Sequence, residues 1–159
     1  MRPFILVVDD NRITTKLMRR YLEAHDFEAL EAHDGIDCLE KCKIRVPDAI
    51  FIDMMMPRLD GLETVRALRA ETSTSHVPVT IVSGMSDLKT QQRAVSAGAD
   101  DFMVKPIDEA LLVSKARILC HYSILQRQVK VLQFALDHTL TAEARQQQRL
   151  LARTLARVR

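Results

Sequence analysis

The sequence has no apolar run near the ~20 residues that a membrane-spanning helix needs. Its first apolar run, residues 4–8, ends in two acids and is too short for the apolar region of a signal peptide. The three cysteines, at 38, 42 and 120, have no CxxC spacing, and their odd number argues against a disulfide framework. Reduced thiols are typical of a reducing compartment. These absences predict a cytoplasmic protein with no membrane partner.

Glycine and proline are absent after Pro106, although four glycines and five prolines lie at or before that residue. Charge is divided in a similar way. Residues 1–117 hold 16 basic and 19 acidic side chains, a net charge of −3, whereas residues 118–159 hold 7 basic and 2 acidic ones, a net charge of +5. At 159 residues the chain is long enough for one domain with a core and some surplus. We therefore predict a domain over residues 1–120 and a helical extension over 121–159.

Short apolar runs alternate with helical patterns up to Pro106. The runs predict strands over 4–8, 27–31, 48–52, 78–82 and 100–104. The segments between them predict helices over 11–24, where Ile13, Leu17 and Tyr21 recur every four residues, and over 35–45, 61–70 and 87–97. Strands that alternate with helices of this length indicate βαβ units and a parallel sheet. The first run is apolar throughout, as a strand covered on both faces is. The predicted fold class is a doubly wound α/β sandwich.

Polar side chains end four of the five predicted strands, at the edge where doubly wound folds bind their ligands. They are Asp9 and Asp10, Asp53, Ser83 and Lys105. Magnesium prefers oxygen ligands, and a cation would offset the repulsion among these carboxylates. A carboxylate can also attack phosphorus, and a metal with a lysine would neutralise charge on the transferred group. The edge therefore favours magnesium-dependent phosphoryl transfer, with the Ser83 hydroxyl available to a phosphoryl oxygen.

Four short motifs in this order identify a family. DD at 9–10, DMMMPRLDG at 53–61, SG at 83–84 and KP at 105–106 together resemble the receiver domain of two-component response regulators. The match covers residues 3 to about 120. The resemblance implies a five-stranded, flavodoxin-like parallel sheet in the order 2-1-3-4-5, which places the three acids together.

The resemblance also implies roles for the acids. Asp53 would be the phosphoacceptor, and its phosphoryl donor would be a histidine kinase or a phosphotransfer protein. Asp9, Asp10 and Asp53 would bind Mg²⁺, together with the backbone carbonyl of Met55. Self-phosphorylation and slow hydrolysis of the aspartyl phosphate are then the only chemistry expected, so the chain is not expected to be a metabolic enzyme.

Further residues match the family's switch. Ser83 would sense the phosphoryl group and Lys105 would pair with it. Phe102 occupies the position of the switch aromatic, whose rotamer follows the hydroxyl. The bond between Lys105 and Pro106 is expected to be cis, as X–Pro bonds tolerate.

Structural roles compete with some of these functional ones. Asp10 and Asn11 are both typical N-cap residues for a helix beginning near residue 12. Methionines 54–56 suggest a soft-metal site, but the neighbouring acids favour hard cations, so loop packing is expected. The five histidines show no ligand spacing and are expected at the surface. Cys38 and Cys42 lie one helical turn apart, and we expect one buried and one near the surface.

Flavin and dinucleotide binding are the main alternatives for this fold class. A flavodoxin-like protein needs a phosphate loop after its first strand that exposes backbone N–H groups. DDNR, at residues 9–12, presents two negative charges instead. The sequence also has no GxGxxG motif. Both alternatives are therefore disfavoured.

The segment after Pro106 predicts a long helix with a coiled-coil seam. The seam residues follow alternating steps of three and four, interrupted by Lys115, and span about three heptads. They are Leu111, Ile118, Tyr122, Leu125, Val129, Leu132 and Leu136. The stripe then shifts, as in a stutter, through Leu140, Ala144, Leu151 and Val158. DHTLT at 137–141 is a candidate break, but we favour a continuous helix because nothing there forces a stop.

Basic residues at steps of four follow the seam. Arg145, Arg149, Arg153 and Arg157 are typical of a solvated coiled-coil flank, and contact with nucleic acid or a membrane surface is the alternative. The stripe has no interleaved aromatics, and no DNA-binding module accompanies it, so direct nucleic-acid binding is not expected.

Two kinds of output are compatible with the sequence. In the first, the chain is the regulatory part of a larger protein, a homodimer joined through the C-terminal helix, with the face formed by residues 87–120 as a second candidate surface. The extension resembles linkers that lead to diguanylate cyclases or phosphodiesterases. In the second, the chain is a complete adaptor that acts by binding another protein. A stop codon at position 160 of the reading frame would favour the adaptor.

Overall fold

Strands and helices alternate along the part of the chain that the structure describes. The structure, a computed structural model, describes the backbone of residues 2–156 and the side chains of residues 2–139, 141, 146 and 147. In chain order the elements are β1 Phe4–Val8, α1 Arg12–Glu23, β2 Glu28–Ala32, α2 Gly35–Ile44, β3 Ala49–Asp53, α3 Gly61–Ala70, β4 Val79–Ser83, α4 Leu88–Ala97, β5 Asp101–Val104 and α5 Glu109–Ala156.

Every predicted element of the alternating region is present, with ends shifted by one residue at most. Two predicted helices begin one residue later than expected because Asn11 and Asp87 are N-caps, whose side chains accept from the N–H groups of Ile13 and Thr90. The predicted fourth strand began on Pro78, which has no N–H for the ladder. The strand itself starts at Val79.

The sheet is parallel throughout, in the order β2-β1-β3-β4-β5, as predicted. Val8 of β1 pairs with Ala32 of β2 and with Ile52 of β3. The order of the strands reverses between β1 and β3, so the carboxyl ends of these two strands lie side by side at the switch point.

Two apolar clusters cover the two faces of the sheet. Leu6 and Val8 of β1 belong to one cluster with side chains of α2, α3 and α4, and Ile5 and Val7 belong to the other with side chains of α1 and α5. A strand buried on both faces explains the unbroken apolar run.

The cysteines and histidines correct two expectations. Cys38 and Cys42 are both buried in the first cluster, so the expectation that one of them would lie near the surface is wrong. Residues four apart share a helix face, and this face of α2 packs against the sheet. His33 and His76 are half-buried, unlike the other three histidines, which are exposed as expected.

The buried face of α1 differs from the predicted stripe. Ile13 is 79% exposed, whereas Thr15, Met18 and Leu22 are buried. Steps of four residues drift by 40° each around a helix, so a stripe that starts near the core at Tyr21 has turned away by Ile13. Alternating steps of three and four stay on one face, and the buried residues follow that spacing.

The chain divides into two compact units, residues 1–123 and residues 124–159. The predicted domain boundary, between residues 120 and 121, stays a prediction. No helix among the described residues is long and apolar enough to cross a membrane.

Helix α5 runs unbroken through residues 137–141, as favoured from the sequence. The hydroxyls of Thr139 and Thr141 donate to the carbonyls of Ala135 and Asp137, four residues earlier, at 2.9 and 2.6 Å. These bonds accommodate both threonines inside the helix. The arginine stripe and the second part of the seam, from Leu140 to Val158, lie outside the residues whose side chains are described.

Candidate functional site

Three carboxylates meet at the switch point of the sheet. Asp9, Asp10 and Asp53 each have an oxygen within 4.8 Å of the others. Asp53 is the last residue of β3, and Asp9 continues from β1 with its N–H donating to the carbonyl of Ala32 at 3.1 Å. Asp9 and Asp53 are buried, while Asp10 is exposed. The three acids predicted to converge are therefore together.

Backbone N–H groups fix two of these carboxylates. Asp9 Oδ1 accepts from the N–H of Asn11 at 2.9 Å, and Asp53 Oδ2 accepts from the N–H of Met55 at 2.7 Å. Asn11 in turn caps α1 through its side chain. The capping role proposed for this stretch is thus correct for Asn11, and it leaves the carboxylate of Asp10 in the acidic group.

Lys105 supplies the positive charge at the site. Its Nζ lies 2.8 Å from Asp9 Oδ2 and 2.5 Å from Asp53 Oδ1. The Lys105–Pro106 peptide is cis, as predicted, and the N–H of Lys105 donates to the carbonyl of Ser83 at 2.8 Å. Burial lowers the pKa of Lys105, but hydrogen bonds and charge from Asp53 and Asp9 outweigh it, so the net pKa is raised.

Burial disfavours the charged form of Asp53. Its pKa is raised above the ordinary value, first by burial and then by the charge of Asp9, against the lowering effects of Lys105 and of the Met55 N–H. One lysine faces three carboxylates here, so the site is short of positive charge. An all-oxygen donor set with surplus negative charge fits a hard divalent cation. The residues present therefore fit Mg²⁺.

Ser83 and Phe102 lie on the neighbouring strands. Ser83 ends β4, and its buried hydroxyl accepts from the N–H of Met85 at 3.1 Å and lies 3.9 Å from Met54 Sδ. Phe102 of β5 is half-buried and packs against the cluster that contains Leu6 and Val8. The roles of both residues in a switch stay predictions, as does the metal contact of the Met55 carbonyl.

The three methionines after Asp53 differ in environment. Met54 is buried and Met56 packs against the same core cluster, so loop packing is correct for these two. Met55 is 63% exposed, and packing is wrong for it. The three residues follow β3 in a loop, in which the middle side chain faces solvent while its two neighbours pack on the core.

Two contacts that sequence reasoning missed shape the surrounding loops. The buried carboxylate of Asp34 caps α2 and forms an ion pair with Arg58, in the loop after β3. Gly61, at the start of α3, lies so close to β3 that a Cβ atom there would be 2.2 Å from the carbonyl oxygen of Asp53. The Asp–Gly pairs at 34–35 and 60–61 were the available signal, since Asp is a frequent N-cap.

We expect a Gly61→Ala substitution to lower the free energy of unfolding by about 2 kcal/mol, because the added methyl meets backbone that cannot rotate away. Gly84→Ala is the matched control, since nothing lies within 4 Å of a Cβ there. That change should stay within about 0.5 kcal/mol. Chemical denaturation followed by circular dichroism at one protein concentration measures both. Equal midpoints for the two variants would contradict this account of Gly61.

A parallel sheet in the order 2-1-3-4-5 that carries three acids and a lysine at its carboxyl edge defines the class of phosphoacceptor receiver domains. A family model for the response regulator receiver domain matches residues 5–117. The chain belongs to this family. The family belongs to two-component signal transduction, and the acids and the lysine of this site are consistent with a phosphoacceptor role.

Comparison with known proteins gives the extent of the similarity. The chain is 33% identical over 121 residues to the response regulator PleD of Caulobacter vibrioides, covering 76% of this chain and 27% of PleD. It is 36% identical over 122 residues to the response regulator MprA of Mycobacterium ulcerans, covering 77% of this chain and 52% of MprA. The crystal structure of NtrX from Brucella abortus is similar at a TM-score of 0.75 and 30% identity, covering 84% of this chain and 30% of NtrX. The chain thus spans about a quarter to a half of the length of these relatives.

Proposed function

We propose that Asp53 accepts a phosphoryl group from a histidine kinase or a phosphotransfer protein in a reaction that depends on Mg²⁺. The observation that carries this proposal is the group of three carboxylates within 4.8 Å of one another, two of them bridged by Lys105. Asp9, Asp10, Asp53 and the Met55 carbonyl would hold the ion. Bound there, Mg²⁺ would neutralise charge that develops on the phosphoryl oxygens.

The chain's own residues divide the remaining work. An Asp53 carboxylate oxygen forms a bond to phosphorus as the bond from phosphorus to the donor's leaving atom breaks. The Met55 N–H, at 2.7 Å from Asp53 Oδ2, orients the carboxylate. Lys105 now bonds Asp53 Oδ1 and would pair with the negative charge of the transferred group. The Ser83 hydroxyl would donate a hydrogen bond to a phosphoryl oxygen. The Phe102 side chain would then change its rotamer in response to the new position of the hydroxyl.

The direct test is phosphorylation by acetyl phosphate, read by intact-protein mass spectrometry. With Mg²⁺ present, the chain should gain one phosphoryl mass. With EDTA in place of Mg²⁺, the initial rate should fall by about a hundredfold or more, because Lys105 alone then offsets the repulsion among three carboxylates and an incoming phosphate. Restoring Mg²⁺ should restore the rate. Equal rates with Mg²⁺ and with EDTA would contradict the metal requirement.

We further propose that phosphorylation is coupled to output through helix α5, as part of a homodimer. Leu125, Val129, Leu132 and Leu136 of the predicted seam are all exposed. Exposed apolar residues at this spacing support a coiled coil with a second copy. Leu88 and Val95 on α4 are also exposed, which supports the 87–120 face as a second surface.

The output itself is a further proposal. Since the chain covers 27% of PleD and 52% of MprA, it is compatible with the regulatory part of a larger protein, with a diguanylate cyclase or phosphodiesterase as its output. The alternative is a stand-alone adaptor in the cytoplasm. In neither of these two proposals does the chain itself act as a metabolic enzyme or bind nucleic acid directly. The three free, buried cysteines support a reducing compartment. The reading frame beyond residue 159 separates the two: a further domain supports the first, a stop codon the second.

A further inference from the structure

The side chain of Met54 lies against the hydroxyl of Ser83. Met54 Sδ and Ser83 Oγ are 3.9 Å apart, and both residues are buried. The backbone of Met54 is fixed on both sides, because its N–H donates to the carbonyl of Val82 at 2.9 Å and its carbonyl accepts from the N–H of Gly61 at 3.0 Å. The thioether is therefore held beside Ser83 by the sheet and by the start of α3.

The hydrogen bonds of Ser83 show which atom is the donor in this contact. A serine hydroxyl has one proton to donate and can accept from other groups. The N–H of Met85 donates to Ser83 Oγ at 3.1 Å, which uses the oxygen as an acceptor. The hydroxyl proton then points to Met54 Sδ, the acceptor that the geometry provides. A thioether is a weak acceptor, so this bond holds the hydroxyl without locking it.

We propose that Met54 is a positioning residue, whose thioether holds the Ser83 hydroxyl in its resting orientation and competes with a phosphoryl oxygen for the same proton. The proposal rests on the proposed role of Ser83 as a phosphoryl ligand. A hydrogen bond to a charged phosphoryl oxygen is much stronger than one to sulfur, so the hydroxyl changes partner when Asp53 is phosphorylated. Met54, the residue directly after the phosphoacceptor, thereby adjusts the equilibrium between the two orientations of the Ser83 hydroxyl.

A Met54→Leu substitution should affect the resting and the phosphorylated states differently. Replacing Met54 with leucine keeps an apolar side chain of similar volume and removes the sulfur. The resting hydroxyl then loses its acceptor, while the phosphorylated state loses nothing. A weak neutral hydrogen bond corresponds to about a threefold change in an equilibrium constant. We therefore expect Met54→Leu to bind a phosphoryl mimic about threefold more tightly.

The experiment measures the affinity for beryllofluoride in the presence of Mg²⁺. The seven methionines allow detection by NMR of protein labelled with ¹³C in the methionine methyl groups. Met18→Leu is the matched control, since Met18 is equally buried but belongs to the cluster on the other face of the sheet. It should leave the affinity unchanged. The effect of Met54→Leu should also vanish in a Ser83→Ala background, because the hydroxyl for which sulfur competes is then absent.

The outcomes separate this proposal from the one on which it rests. Magnesium-dependent binding by the wild-type chain, with no change or with weaker binding in Met54→Leu, would overturn the role of Met54 alone. An equal gain with and without the Ser83 hydroxyl would show that the leucine acts through packing, and would also overturn it. If the wild-type chain binds no mimic and acetyl phosphate does not label it, the phosphoreceiver function itself fails.

Discussion

An Asp53→Asn variant should gain no phosphoryl group under conditions in which the wild-type chain is labelled by acetyl phosphate and Mg²⁺. An amide lacks the anionic oxygen that attacks phosphorus, yet it has nearly the same shape as the carboxylate. Its oxygen can still accept from Lys105 or from the Met55 N–H, which now bond the two carboxylate oxygens. Intact-protein mass spectrometry measures the result directly.

The variant should also remain folded, so that lost labelling is informative. The pKa of Asp53 is raised, chiefly by burial, which means that the native state disfavours the charge on this carboxylate. When the pKa of an acid is higher in the folded state, ionisation of that acid at higher pH lowers the free energy of unfolding. A neutral amide at position 53 does not ionise, so it avoids this loss of stability. Circular dichroism should therefore show an unchanged spectrum and a melting temperature no lower than that of the wild type.

A second aspartate serves as the control. Asp26 is exposed and has a positive φ of 65°, a conformation that asparagine tolerates as well as aspartate does. Asp26→Asn should be labelled like the wild type. Equal labelling of the Asp53 and Asp26 variants would show that another residue accepts the phosphoryl group, and would contradict the assignment of Asp53 as the phosphoacceptor.

The sequence was sufficient for the fold and for the convergence of the acids because a parallel sheet leaves little freedom. Once the runs predicted at 4–8 and 48–52 are strands of one parallel sheet, Asp9 and Asp53, which directly follow these runs, lie at the same edge. The position of Asp9 beside Asp53 then depends on strand order, and that order came from the resemblance to receiver domains. Helix α5 was also predictable, since the segment after Pro106 has no residue that breaks a helix.

Side-chain environments were less predictable, because they depend on neighbours distant in sequence. The apolar spacing of α1 identified a helix but placed Ile13 on the wrong face. Burial of both Cys38 and Cys42 follows from how closely α2 packs on the sheet, which no local pattern records. The contact of Met54 with Ser83 joins the residue that follows β3 to the last residue of β4, and it depends on the rotamers of both side chains, which no motif predicts.

The second large effect concerns the predicted coiled coil. We expect Leu132→Lys to convert a dimer into a monomer, with the dissociation constant raised about a thousandfold. Leu132 lies on the seam and is 69% exposed within one chain. Burying a leucine side chain stabilises by about 2 kcal/mol, and a dimer would lose two of them. A loss of about 4 kcal/mol is a factor of a thousand in the dissociation constant, before the burial of two lysine charges is counted.

The adjacent residue provides a closely matched control. Val131 is 67% exposed and also apolar, but it lies 100° around the helix from Leu132, away from the seam. Val131→Lys should therefore leave the dimer intact. Sedimentation velocity over a range of concentrations distinguishes the two variants, and circular dichroism checks that each retains its helix content.

The same sedimentation measurement, repeated with Mg²⁺ and beryllofluoride, tests how phosphorylation couples to assembly. A wild-type dimer that tightens with the mimic supports control of dimerisation by Asp53. A dimer that is indifferent to the mimic makes the helix a constitutive connection, and the signal must then pass through rearrangement within the dimer. A dimer that survives Leu132→Lys, or a wild-type chain that is monomeric under both conditions, would rule out the seam. Loss of the dimer in Leu132→Lys alone would place the contact along Leu125, Val129, Leu132 and Leu136, because only that stripe distinguishes the two variants.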